Sequence, residues 1–331
     1  MIHPIPPGTR DVLPDEMREL RRLHLALIGV FEERGYGEVA TPAIEYDEVL
    51  ARGDGRTADT AYRFFDGSGD LLALRSDMTV PIARLIATRY AKAEMPLRLC
   101  YLANAYRAVR PQRGQMREFA QAGVELIGAP APDGTAEVVD VLEAALDAAG
   151  LGRAVIGLGD ADLYRQLLAE FGIEGEARDS ILARLAAHDL VGLETELSEL
   201  QGVSDEQIAT CVALSQLRGG KEVLEEARAL GGAAVERATA RLGETLEALE
   251  ARGVAQRVQI DLGLLRDLGY YSGAILEVYD PALGHVLGGG GRYDGLLKRF
   301  GVDQPAAGFA LYVERVHVAQ MEEEPRGGED S

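Results

Sequence analysis

The chain has 331 residues and no tryptophan, only two cysteines and only five histidines. Cys100 and Cys211 lie far apart, so no disulfide framework or closely spaced thiolate motif exists, and such usage suits a reducing compartment. The histidines are scattered without metal-ligand spacing, and no metal or cofactor is expected. Positive charge is also short. There are 34 Lys+Arg against 54 Asp+Glu, a net charge of -20. That balance disfavours a broad nucleic-acid surface, which rests on neutralising phosphates, although it leaves room for one local basic groove. No apolar run is long enough to span a bilayer, and no signal-peptide pattern opens the chain, so a cytoplasmic protein is expected. A phosphate loop is absent too: Gly288 to Gly291 are followed by no GK[ST] and lack the strand–GxGxxG–helix order.

What is present is enough chain for two domains. The stretch from Leu264 to Gly295 concentrates an arginine, a tyrosine pair, an apolar β-branched run and the glycine run. Ala274 to Tyr279 reads as a buried strand. The four glycines read either as a flexible turn or as a backbone that a ligand approaches closely.

Upstream, Pro14 and Gly35 bracket a helix whose Met17, Leu20, His24, Leu27 and Phe31 share one face, with His24 a packed core residue. Pro42 interrupts the following strand and belongs at an edge, a bulge or an interface. Tyr62 to Phe65 and Leu71 to Leu74 flank Asp66-Gly67 and Ser68-Gly69 as a hairpin. If the second strand continues, Arg75, Asp77 and Thr79 share a face, either a solvated edge or part of a site. In the segment Tyr106 to Gly128, a strand and a basic turn around Pro111 and Gly114 lead to a second strand. There Gln121, Gly123 and Glu125 point one way and Ala122, Val124 and Leu126 the other. The polar face suits a small polar ligand or open water. Asp133 to Gly150 reads as a helix and Ala154 to Leu158 as a short strand.

From Asp160 to Gly253 the composition turns Ala/Leu/Glu-rich and helical. Ser204 with Gln207 makes a capping box, and Val235, Ala238, Leu242, Leu246 and Leu249 form one stripe. Strand character returns at Arg257 to Leu262. Tyr293 to Phe300 reads as a short helix, PAAGFALYVERV as a strand entering a helix, and the acidic end of the chain as disordered.

LLRDLGYYSG resembles the histidine-recognition motif of histidyl-tRNA synthetases, and GGGGRYDGLL the glycine-rich segment after it. The resemblance extends along the chain. Helix, strand and Pro42 resemble motif 1 of class II aminoacyl-tRNA synthetases, LRSDMTVPIAR resembles the LRP[ED]xT segment, YRAVRPQRGQMREFAQAGVELIG resembles motif 2, and the closing strand and helix resemble motif 3. It implies an α+β fold, a class II antiparallel sheet flanked by helices. The core would span 1–159 and 254–320, with a helical insertion at 160–253 and an acidic tail at 321–331.

The resemblance also implies roles. Asp77, Thr79, Gln121 and Glu125 match positions around the ammonium of histidine, Arg266 the arginine that meets its carboxylate, and Tyr271 and Tyr293 the imidazole side. Arg107 and Arg315 match the arginines that clamp a nucleotide. The nucleotide half departs from the pattern. Val109 replaces a glutamate, Gln115 loses a charge, Ala120 replaces a histidine, Tyr312 puts a phenol where glycine lets adenine approach, and Asp267 and Gly269 alter the RGLDYY order. The family's anticodon-binding domain is also expected to be missing, since the sequence ends soon after motif 3, and no tRNA partner is expected. This combination resembles the ATP phosphoribosyltransferase regulatory subunit family. That implies a non-catalytic partner of the short-form ATP phosphoribosyltransferase, in a hetero-octamer containing homodimers formed through motif 1, needed for the first step of histidine biosynthesis and for feedback inhibition by free histidine. The alternative is a truncated histidyl-tRNA synthetase or a free-standing histidine-adenylating enzyme. A third reading, a scaffold that binds no histidine, stays open.

Overall fold

The computed structural model describes residues 5–53, 60–109, 116–266, 269–281 and 283–323. Helix α1 (Pro14–Glu33) starts at a proline whose missing N–H costs nothing there, carries Asp15 and Glu16 in its first turn, and ends before Gly35 at φ +83. Its buried stripe is Leu20, Leu23, Leu27 and Phe31. Met17 stands at the exposed start of the helix, so Leu23 takes its place on the buried face. His24 is half-buried beside that stripe.

Strand β1 (Gly37–Glu38) follows, then the small strand β2 (Ile44–Tyr46) and helix α2 (Asp47–Gly53). Pro42 lies exposed between the two strands, where no ladder bond is lost. Strands β3 (Arg63–Phe65) and β4 (Leu71–Leu74) form the expected hairpin, and with β2 they make a three-stranded sheet. The chain does not stay extended beyond β4. Thr79 opens helix α3 (Thr79–Leu85), because Asp77 Oδ1 accepts the Val80 N–H at 3.0 Å and turns the backbone. Arg75 is drawn away to the carbonyls of Thr41 and Asn104, at 2.6 and 2.7 Å.

The long strands β5 (Leu97–Tyr106) and β6 (Glu118–Ile127) pair antiparallel, and the basic turn between them at 110–115, including Gln115, lies outside the described residues. Helix α4 (Asp133–Ala148) and strand β7 (Val155–Asp160) follow. The helical stretch then runs through α5 (Leu163–Glu170), α6 (Gly175–Ala186), α7 (Leu190–Glu199), α8 (Asp205–Gln216), the short strand β8 (Arg218–Gly219), α9 (Glu222–Ala229) and α10 (Ala233–Arg252). The Ser204–Gln207 capping box forms at the start of α8, and the α10 stripe from Val235 to Leu249 is buried. Arg241 grips Asp160 through two bonds of 2.8 Å, fastening α10 to the end of β7.

The chain closes with β9 (Val258–Asp261), β10 (Ala274–Tyr279), β11 (Gly288–Arg292), β12 (Ala306–Tyr312) and α11 (Val313–Glu323). Among the described residues the main sheet has nine strands in the order β1-β5-β6-β12-β11-β10-β7-β9-β8. It is antiparallel through its centre, with parallel pairs β1–β5 and β7–β9 toward the edges. The glycine run is thus neither a turn nor a loop but a fully buried strand. Tyr293 to Phe300 contains only a 3-10 turn, Leu297–Phe300. Residues 321–323 of the expected acidic tail are helical instead, because α11 continues to Glu323; 324–331 lies outside the described residues.

One face of the sheet packs against helices. Ala122, Val124 and Leu126 of β6 join Leu27 and Phe31 of α1, Leu142 and Leu146 of α4 and Val316 of α11, and this core continues into the helices from α5 to α10. Each fully buried leucine contributes roughly 2 kcal/mol of transfer free energy. The opposite face carries a second cluster containing Met78, Ile82, Tyr101, Tyr270, Tyr271, Tyr293 and Leu296. That aromatic-rich face holds the candidate site.

Candidate functional site

Alternation along β6 sends Gln121, Gly123 and Glu125 to the face opposite the helices. Gln121 and Glu125 are 3% and 1% exposed, so they do not open to water. They line a small pocket of about 30 Å³ together with Asp77, Thr79, Tyr101, Arg107, Arg266, Tyr270, Tyr271, Tyr293 and Tyr312. Room on that scale holds about one water-sized group, so an amino acid enters only as these side chains move apart.

The polar atoms of this pocket mostly satisfy one another. Thr79 Oγ1 donates to Glu125 Oε1 at 2.8 Å, and the Tyr293 hydroxyl donates to Glu125 Oε2. Arg266 Nη1 donates to the Leu276 carbonyl at 3.2 Å, lies 3.6 Å from Glu277, and sits over the Tyr271 ring at 5.8 Å. Tyr270 packs between Tyr271 and Tyr293, with ring centroids 4.9 and 6.0 Å away. Gln121 Oε1 and Arg266 Nε alone among these side-chain atoms are buried without a hydrogen-bond partner, an acceptor and a donor left open to a ligand.

Two glycines make this arrangement possible. A Cβ on Gly289 would fall 1.8 Å from Arg266 Nη1, and one on Gly308 would fall 2.0 Å from Glu125 Oε2. A side chain at either position would evict the guanidinium or the carboxyl.

Burial pushes the Glu125 carboxyl up to about 8, reinforced by Asp77 and only partly offset by the bonds from Tyr293 and Thr79. Burial works against the charge of Arg266, yet Tyr271, Tyr312 and Glu277 outweigh it and hold the group protonated. Burial would raise Tyr312, but Arg107, Arg266 and Arg315 bring it below the ordinary tyrosine value.

Beyond Tyr312 lies a second, larger cavity of about 430 Å³, within the span of small-molecule sites. Arg107 and Tyr312 line both spaces. Arg107 hydrogen-bonds Tyr312 and lies over the Phe119 ring at 4.9 Å. Arg315 lies over the Tyr312 ring at 4.7 Å and donates to the Val286 carbonyl at 2.6 Å. Val109, Met116, Phe119, Leu283 and Val318 supply an apolar lining. Among the described residues no group of three or more His, Cys, Asp or Glu could hold a metal ion, and no helix is long and apolar enough to cross a membrane.

A family model described as histidyl-tRNA synthetase matches residues 8–316. An ATP phosphoribosyltransferase regulatory subunit from Moorella thermoacetica is 43% identical over 323 residues, covering 97% of this chain and 83% of that protein. This chain belongs to the ATP phosphoribosyltransferase regulatory subunit family, built on the histidyl-tRNA synthetase fold. A crystal structure described as an ATP phosphoribosyltransferase regulatory subunit/histidyl-tRNA synthetase from Bacillus halodurans superposes with a TM-score of 0.87 at 33% identity, covering 97% of this chain and 84% of that one. A crystal structure of a histidine–tRNA ligase subunit from Alicyclobacillus acidocaldarius gives 0.85 at 32% identity, covering 98% and 99%.

Within this regulatory-subunit scaffold, Asp77, Thr79, Gln121, Glu125, Arg266, Tyr271 and Tyr293 all meet in the small pocket. Arg107 and Arg315 line the large cavity, with Val109 on its wall and Tyr312 closing its inner end. Asp267 lies outside the described residues, whereas Gly269 is described and its carbonyl accepts from Arg299 at 3.4 Å. The motif reading did not single out Tyr101 or Tyr270. Tyr101 pairs with Gly123 across the strands, a relation that becomes visible only once the β5–β6 register is known. Tyr270 stands beside Tyr271 in the sequence, and the motif match gives a role to Tyr271 alone.

Proposed function

We propose that this chain is the non-catalytic, regulatory subunit of a short-form ATP phosphoribosyltransferase, and that free histidine binds in the small pocket as its feedback effector. The observation that carries the reading is the small pocket itself, where two acids, two arginines, an amide acceptor and five tyrosines converge and Gln121 and Glu125 are almost fully buried. Histidine presents an ammonium for Asp77, Thr79 and Glu125, a carboxylate for Arg266, and an imidazole for Tyr271 and Tyr293. The unpartnered Gln121 Oε1 adds an acceptor for a ligand N–H.

Catalysis then belongs to a partner chain, in a hetero-octamer in which this subunit forms dimers through the region of α1 to β2. The names carried by the relatives support a catalytic ATP phosphoribosyltransferase partner. Histidine bound here favours a quaternary state in which the partner is less active, so the partner's substrates must weaken histidine binding by the same factor. The insertion at 160–253, whose helices share the core of the sheet, contributes packing rather than chemistry in this reading.

The second reading is histidine adenylation, favoured by Arg107 and Arg315 on one cavity and by the relative described as a histidine–tRNA ligase subunit. Val109 and Tyr312 oppose it by removing an acceptor and filling the space between amino acid and nucleotide. The deciding experiment measures phosphoribosyl-ATP formation by the short catalytic chain with and without this protein, then with histidine. Activity that depends on this protein and falls with histidine is the expected result. No change in either condition, together with histidine-dependent ATP–pyrophosphate exchange, overturns it in favour of adenylation.

A further inference from the structure

We propose that ligand binding in the small pocket is proton-linked: Glu125 carries a proton while the pocket is empty and releases it to solvent when the ammonium of the ligand arrives. The inference rests on the reading of this pocket as a free-amino-acid site. Its geometric basis is the company Glu125 keeps. The carboxyl is 1% exposed, and its two oxygens meet the hydroxyls of Thr79 and Tyr293, groups that can accept a proton's hydrogen bond as well as donate one. A Cβ on Gly308 would fall 2.0 Å from Glu125 Oε2, so only glycine there leaves the carboxyl its place.

The charged groups that face it do not favour a carboxylate. Asp77, in the turn before α3, is a second acid on the same pocket. Tyr101 of β5, Tyr270, Tyr271 and Tyr293 are all held well on the neutral side by burial, whereas Tyr312 of β12 is brought below its ordinary value by Arg107, Arg266 and Arg315. The two cations of the pocket are turned elsewhere, Arg107 to Tyr312 and Arg266 to the Leu276 carbonyl and Glu277. Among the described residues no ion pair reaches Glu125. A buried carboxylate so placed takes up a proton rather than remain charged, in keeping with its rise to about 8.

An arriving ammonium reverses that balance. Glu125 loses its proton to the buffer, the ligand nitrogen keeps its own three, and the new pair is neutral overall. Binding then selects the ionised pocket, so affinity rises with pH until Glu125 is ionised without the ligand. A ligand of the same shape without the ammonium has no such requirement.

The test is titration calorimetry of L-histidine into the full chain in two buffers of different ionisation enthalpy, repeated across pH. The expected result is close to one proton released per histidine near pH ~7, fading above ~8, with affinity rising about fifteenfold in total between ~6.5 and ~8. Imidazolepropionate, which lacks the ammonium, binds with no release. In E125Q the release disappears and weaker binding remains; if that variant does not fold, the pH series on the unmodified chain decides. Histidine binding with no proton released near neutrality, or release that persists in E125Q, overturns the proposal while leaving the amino-acid reading in place. Absence of histidine binding at every pH overturns the amino-acid reading and the proposal together.

Discussion

The small pocket and the large cavity share a wall, Arg107 and Tyr312, yet their interiors follow opposite rules. The small pocket is crowded with polar groups that bond one another, so a ligand must exchange existing bonds for its own. The large cavity offers volume and an apolar lining, with its arginines resting on aromatic rings. Discrimination between ligands comes from buried polar groups that are left unpaired by the wrong partner, since a hydrophobic hollow rejects little. Under the proposed reading, selectivity therefore lies on the small side of Tyr312 rather than in the larger, mostly apolar cavity.

That contrast can be broken from either side. The largest effect is expected for Glu125→Ala, which removes the acid proposed to meet the ammonium and leaves Thr79 and Tyr293 without their acceptor. Histidine affinity should fall about 100-fold or more, and feedback inhibition should vanish while the complex still assembles. Calorimetry and size-exclusion chromatography of the mixed complex check both parts; full histidine sensitivity in this variant would mean that the effector binds elsewhere. Next comes Arg266→Gln, which keeps a donor but loses the charge proposed to meet the carboxylate. A loss of about tenfold to thirtyfold in histidine affinity is expected, with histidinol, which has no carboxylate, little affected.

A third prediction concerns stability without ligand. Between about pH 4.5 and 8 the unfolded chain ionises Glu125 while the folded chain keeps it protonated. That contribution is complete below the unfolded value, declines as pH rises, and is gone above about 8. The difference in unfolding free energy between E125Q and the unmodified chain should therefore shift toward the variant by a few kcal/mol from pH ~5 to pH ~8. Urea denaturation at several pH values measures it, and a difference flat with pH would place an ionised carboxylate in the empty pocket. The smallest effect is expected on the other side of the wall. Phe119→Ala enlarges the large cavity and should leave histidine affinity within about twofold, at a stability cost of roughly 3 kcal/mol. A strong loss of histidine affinity there would join the two spaces into one site.

Much of this could be read before any folding was considered. Pro14 and Gly35 bracket α1, and Ala274 to Tyr279 is a strand to the residue, because local conformational preference and the pattern of burial agree there. The alternation of Gln121, Gly123 and Glu125 against Ala122, Val124 and Leu126 set the polar and apolar faces of β6 for the same reason. Thr79 lines the small pocket from the start of a helix rather than from an extended strand, since a single bond from the Val80 N–H to Asp77 converts the extended continuation into a helix start.

The glycine run marks the limit of local reading. Glycine has no strand preference, and Gly288 to Gly291 form a buried strand because neighbouring backbones press on them: a Cβ at Gly290 would stand 2.0 Å from the Gly308 carbonyl. Likewise the residue types of the small pocket were fixed in the chain, but their mutual hydrogen bonds, the raised Glu125 carboxyl and the partition formed by Tyr312 depend on strands far apart in sequence coming into register. Residue identity and periodicity are local properties and survive in the sequence alone. Desolvation and close approach belong to pairs of residues, and only the tertiary structure brings those pairs together.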